Sequence, residues 1–192
     1  MATNYSAKKL VEFFFETGSL KKIIRSHQQE FFTSDPSDNI SSHSFRVAII
    51  AFFLAILENA DLQKTVAMAL FHDLPETRSG DQNWVHKKYV KVFEEEIIKD
   101  QFKNLPKEKY LNQLLEEYKK RKTKEAKIAK DADLIEQLLL LKEYELKGNK
   151  EAKKWLKTKR DIKTRSAKLL ASKIIKSDPG DWTKQLSTPK RR

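Results

Sequence analysis

Residues 43–57 read HSFRVAIIAFFLAIL, and no proline or glycine interrupts them. Beyond the polar residues of the first turn the stretch is apolar on nearly every side, the pattern of a helix set in the middle of a bundle. The uninterrupted apolar run, Val47 to Leu57, is eleven residues, about half of what a bilayer-spanning helix needs. A core helix is expected, with no membrane span. Upstream, residues 32–42 (FTSDPSDNISS) are dense in Ser, Asp, Asn and Pro and read as a loop, with Ser41 or Ser42 as the N-cap of the central helix. Downstream, Asp61 caps a second helix in which Leu62, Val66, Ala69 and Leu70 form one stripe, and Pro75 ends it because the residue before a proline is pushed out of helical geometry.

The same reading extends to both ends. Tyr5 or Ser6 caps a first helix whose Leu10, Phe13 and Phe14 recur at helical spacing, with Gly18 as its C-terminal cap and a short helix from Leu20 to about Gln29 after it. Thr77 to Asn83 is a polar loop. Helices from Trp84 to about Leu105 and from Lys107 to about Lys122 are separated by Pro106, with Trp84 and Val85 expected in the core. A long helix from about Lys124 stops near Gly148, and a basic one covers Asn149 to Ile175.

Composition narrows the class. Eleven Phe and three Trp in 192 residues are too much apolar surface for a disordered chain to leave in water. Four Gly and five Pro are too few for the tight turns of sandwiches, barrels and glycine-rich nucleotide loops, so an all-α domain is expected. The absence of Cys excludes disulfides, Cys-based zinc sites and thiol nucleophiles and is compatible with a reducing cytoplasm. The N-terminal MATNYSAKKLVEFFFE has no signal-peptide pattern, and a cytoplasmic location is expected. The net charge of +12 is uneven: residues 141–192 hold 17 Lys and Arg against 6 Asp and Glu, a local excess of 11. Such a segment attracts polyanions through counterion release, but its lysines are spread among apolar positions. A solvated helix face is favoured over a nucleic-acid site, which is kept as a possibility.

Chemistry enters through the polar residues on apolar faces. His43 lies on the face of Val47, Ile50, Leu54 and Leu57 and points inward, and Asp73 extends the stripe of the next helix with His72 beside it. Taken singly, each reads as a hydrogen-bonded core residue. Together they place two imidazoles and a buried carboxylate at one edge of the bundle, and an ionised carboxylate there needs a compensating charge. A metal ion supplies one, and the N/O donor set suits Zn, Mn, Co, Fe or Mg. One further carboxylate would complete the cage. In KDADLIEQLLLL (residues 130–141) Asp131 shares a face with Ile128, Ile135 and Leu138, whereas Asp133 shares one with Ala129, Gln137 and Leu140. Periodicity does not choose between them.

Ser42-His43-Ser44, then His72-Asp73-Leu74-Pro75-Glu76 with Gly80-Asp81, then Ala132-Asp133 before a leucine-rich helix, resembles the HD-domain metal-dependent phosphohydrolases, and within them the YfbR-like 5′-deoxynucleotidases. The resemblance implies an all-α HD-domain bundle of about six to eight helices, with a single domain over residues 1–178 and a basic tail over 179–192. It implies one divalent metal ion held by His43, His72, Asp73 and Asp133, leaving Asp131 as a solvated or helix-end charge. It makes Glu76 the general acid/base, sets Asp81 near the scissile group and sugar, and puts Arg25, in LKKIIRS, on the substrate phosphate. Where relatives tend to carry an aromatic after this Arg, the chain has Ser26. The implied reaction is removal of the 5′-phosphate from (deoxy)nucleoside monophosphates by metal-activated water, in a protein that is commonly a homodimer. The alternatives are an HD hydrolase of cyclic or polyphosphorylated nucleotides, and a basic nucleic-acid-binding helical protein with a vestigial metal site.

Overall fold

The computed structural model describes residues 6–158, 160–184 and 186. Ser6 caps α1 (Ala7–Thr17) by accepting the Lys9 N–H. Gly18 follows at φ −62°, right-handed rather than left-handed, so the chain tightens into a 3-10 turn, Gly18–Lys22. The expected helix to Gln29 does not form. Instead Ile24 pairs antiparallel with Asn39, and only one turn, α2 (Gln28–Phe31), follows. Asn39, not Ser41 or Ser42, caps α3 (Ile40–Leu57), and Asp61 caps α4 (Leu62–Phe71).

After α4 come α5 (Glu76–Ser79), α6 (Trp84–Tyr89), α7 (Glu94–Phe102), α8 (Glu108–Lys120), α9 (Lys124–Leu146), α10 (Lys150–Leu156), α11 (Arg165–Lys176) and α12 (Asp181–Lys184). Of these twelve segments, seven run nine residues or more, and the fold is all-α. The expected helix from Trp84 to Leu105 breaks at residues 90–93, where Val90 is extended. Trp84 and Val85 are exposed, contrary to their reading as core. The expected basic helix likewise breaks between α10 and α11. The terminal Pro189-Lys190-Arg191-Arg192 lies outside the described residues.

The 23-residue α9 is the spine, with α3, α4, α8, α10 and α11 packed on it. Val47, Ala51 and Leu54 of α3 meet Met68 and Ala69 of α4 and Ile128, Ala132 and Ile135 of α9 in the main core, each large side chain contributing about 1.5–3 kcal/mol by burial. A second cluster around Phe102 ties α1, α7 and α8 together through Phe13, Leu20 and Leu115. Starting at Ile40, α3 is 18 residues long, and by length and composition it could cross a membrane. That differs from the eleven-residue run counted in the sequence. In this fold α9 and α4 cover one face, while Phe45, Ile49, Phe53, Ile56 and Leu57 on the rest of its surface are exposed.

Candidate metal centre

His43 comes from the second turn of α3, His72 and Asp73 from the turn that ends α4, and Asp133 from the middle of α9. Three separate elements thus converge where α3 and α4 lie against the spine. The His43 Nδ1 stands 2.6 Å from Glu136 Oε2, so Nδ1–H donates and Nε2 is turned inward. The His72 Nδ1 is 2.8 Å from the Ala69 carbonyl oxygen, which can only accept, so Nδ1–H donates and Nε2 faces the cluster. Both Nε2 atoms are buried without a hydrogen-bond partner. His72 Nε2 nevertheless lies 3.1 Å from Asp73 Oδ2, and His43 Nε2 lies 3.4 Å from that same oxygen and 3.3 Å from Asp133 Oδ1.

Two buried imidazole nitrogens turned toward one carboxylate oxygen, at 3.1 and 3.4 Å, form the N/O donor set that a divalent cation accepts. The donor atoms of His43, His72 and Asp73 all lie within 4.8 Å of one another, a spacing that one ion can bridge. Glu136 and the Ala69 carbonyl orient the imidazoles from behind, as the outer partners of metal-bound histidines do. Asp133 presents one oxygen to the cluster and accepts from Lys130 Nζ at 2.6 Å with the other. Burial works against charge on His43, but the carboxylates of Asp133, Asp73 and Glu136 outweigh it and hold the imidazole well above its usual range. Burial likewise opposes ionisation of Asp73, and the facing imidazoles of His72 and His43 keep it well below the ordinary carboxylate range. The cluster is built around a positive charge.

Glu76 opens α5, and its Oε2 is buried with no partner. Burial first, then the carboxylates of Asp73 and Asp81, push it up to about 9. With His72, Asp73, Gln82, Lys87, Tyr118 and Lys130 it lines a cleft of about 310 Å³. Arg25 stands 3.5 Å from Asp81 through its Nε, and its buried Nε and Nη1 make no hydrogen bond. The Asp81 Oδ2 accepts the Ser26 N–H at 2.7 Å, so this carboxylate braces the Arg25 segment.

Asp131 is not a solvated or helix-end charge. It is fully buried, accepting from Arg121 Nη2 at 2.8 Å, Thr164 N–H at 2.7 Å, Thr164 Oγ1 at 2.8 Å and Lys163 N–H at 3.0 Å. Sequence reasoning also passed over Glu136, which holds His43 and accepts from Arg46 Nη2 at 2.8 Å. Its only signal was its place one turn beyond Ala132-Asp133. Tyr118 and Lys130 gave no signal that distinguishes them from ordinary helix residues.

A family profile described as HD domain matches residues 17–175. The chain belongs to the HD-domain family. The human 5'-deoxynucleotidase HDDC2 is 30% identical over 148 residues, 74% of this chain and 72% of that protein. The Saccharomyces cerevisiae 5'-deoxynucleotidase YGK1 is 30% identical over 154 residues, 73% of this chain and 70% of its own length. Among solved structures, the PH0347 protein from Pyrococcus horikoshii OT3 superposes with a TM-score of 0.71 at 26% identity, covering 88% of this HD-domain chain and 98% of that one.

Proposed function

We propose that this HD-domain protein is a metal-dependent phosphomonoesterase that removes the 5′-phosphate from (deoxy)nucleoside monophosphates. His43, His72, Asp73 and Asp133 would hold one divalent ion. The observation that carries this is the convergence of His43, His72 and Asp73, whose donor atoms lie within 4.8 Å of one another, with both imidazole Nε2 atoms buried and without a hydrogen-bond partner. The 5'-deoxynucleotidase relatives support the substrate class. Bound there, an ion lowers the pKa of water and neutralises phosphoryl oxygens, and Mn, Co, Zn, Mg or Fe suits the donor set.

The protein's own groups supply the rest. Arg25, buried with two donors unspent, can take phosphate oxygens by charge-assisted hydrogen bonds. Glu76, raised above the usual carboxylate range by burial and by Asp73 and Asp81, can serve the departing 5′-oxygen as general acid. Asp81 holds the Arg25 segment in place and reaches the substrate side through it.

We place the protein in the cytoplasm as one HD domain over residues 1–178 with a basic tail over 179–192, and as a homodimer. We read the basic region as a solvated face, in which Lys142 pairs with Glu145 and Lys154 with Glu151, each at 2.6 Å. Phosphate release by the purified protein, loaded with Mn, Co or Mg, tests the reading against monophosphates, triphosphates and cyclic nucleotides. Monophosphates should be the substrates, and His72→Ala should lose both metal and turnover. Turnover of cyclic or polyphosphorylated nucleotides alone would overturn the substrate class, and salt-dependent nucleic-acid binding without hydrolysis would overturn the enzyme.

A further inference from the structure

Tyr118 lies on α8, with its ring packed on that of His72 at 5.3 Å between centroids and the Lys130 ammonium 5.7 Å from its own centroid. Its hydroxyl is buried and has no hydrogen-bond partner, although the side chain lines the cleft that also contains His72, Asp73, Glu76 and Lys130. A phenol in that position is costly for a structural residue. Buried hydroxyls almost always find a partner, and a phenylalanine would pack on His72 with nothing left unsatisfied. The orphan hydroxyl is a donor. A donor without a protein acceptor, beside the ammonium of Lys130 and in a cleft that Lys87 also lines, suits an incoming oxyanion.

We infer that Tyr118 contacts the substrate, its hydroxyl donating a hydrogen bond to a phosphoryl oxygen of the bound monophosphate. This rests on the phosphomonoesterase reading and adds to it a residue from α8, an element that supplies none of the four metal-holding side chains. Such a donor acts where charge accumulates as the phosphoryl group transfers. It is also engaged by the free phosphate product, so binding and turnover both report on it.

The test is Tyr118→Phe in the full chain, compared with wild type for metal content, thermal midpoint, affinity for inorganic phosphate by titration calorimetry, and turnover of a deoxynucleoside monophosphate. The expected result is unchanged metal content and a midpoint equal to or above wild type, because only an unsatisfied hydroxyl is removed. Phosphate affinity should fall about tenfold and kcat/KM by about ten- to a hundredfold. Wild-type phosphate affinity in the variant overturns the inference, as does a midpoint lowered by several degrees, which would make the hydroxyl a core hydrogen-bonding group. Failure of the underlying reading looks different: wild type itself then turns over no monophosphate, while the phosphate titration still tests Tyr118 without turnover.

Discussion

On α9 the carboxylates of Asp131 and Asp133 sit two residues apart and so about 200° around the helix from one another. Asp133 faces His43 at 3.3 Å and Asp131 faces the start of α11, where it takes Arg121 and the N–H groups of Lys163 and Thr164. Because Leu134 to Leu141 is apolar almost all round, the hydrophobic pattern does not choose which side is the site, and only the family likeness pointed to Asp133. The inward aim of His43 was legible, since Val47 and Leu54 on its face are fully buried. The two aspartates should therefore separate by experiment. Asp131→Ala leaves the buried N–H groups of Lys163 and Thr164 without their acceptor and takes one partner from Arg121, which keeps Asp161, so unfolding should cost about 3 kcal/mol less and the thermal midpoint should fall by about 6–12 °C. Its turnover per folded molecule should persist. Asp133→Asn should keep the midpoint of the metal-free protein within a few degrees while losing metal and activity. Melting curves beside metal analysis check both, and equal damage by the two substitutions would sink the division of labour.

Helices whose ends are marked by Asp, Asn, Pro or Gly were readable at the level of elements: α4 begins after Asp61, and α9 spans the residues its pattern indicated. The breaks that were not readable carry no such marks. The residues between α10 and α11 contain neither Pro nor Gly. Their N–H groups at Lys163 and Thr164 go to Asp131 on a different helix, so a tertiary hydrogen bond decides what local propensity cannot. The segment before α3 follows the same rule. Asp38 accepts from His27 Nε2 at 2.8 Å and Tyr144 Oη at 2.9 Å through its side chain, and from the Arg25 N–H at 3.1 Å through its carbonyl. This buried network fixes the short bridge that carries Arg25. Asp38→Ala would leave His27 Nε2, Tyr144 Oη and Gln28 Nε2 without the one oxygen they share, and the Arg25 segment should loosen. Steady-state kinetics should show KM for the monophosphate rising about fivefold to tenfold with kcat changed less, while Tyr144→Phe, which removes one donor and leaves the carboxylate, should give a milder version. A fall in kcat at constant KM would assign Asp38 to the chemistry instead of to the placement of Arg25.

For the molecule as a whole, the sequence of α3 promised a helix surrounded by protein, and the fold covers only one side of it. Phe45, Ile49, Phe52, Phe53 and Ile56 fall within about 100° of the helix circumference, and the exposures of Phe45 (67%), Phe53 (58%) and Ile56 (55%) show that nothing among the described residues shields them. A contiguous apolar stripe of this kind is unusual on a monomer in water. Two copies related by a twofold axis can bury the same stripe against itself, which is the simplest closed assembly available to one surface. The stripe is on the side of α3 away from the buried face that carries His43, so pairing would stiffen the helix that holds a metal ligand without obstructing the cleft. Sedimentation velocity at micromolar concentration should show a dimer for the full chain. Phe53→Glu places a charge in the middle of the stripe but outside the core, so it should yield a folded monomer with an unchanged melting cooperativity and intact metal binding. A wild-type protein that sediments as a monomer up to about 100 µM, weaker than the micromolar range in which a dedicated interface holds, would remove the dimer and leave the stripe to a different partner.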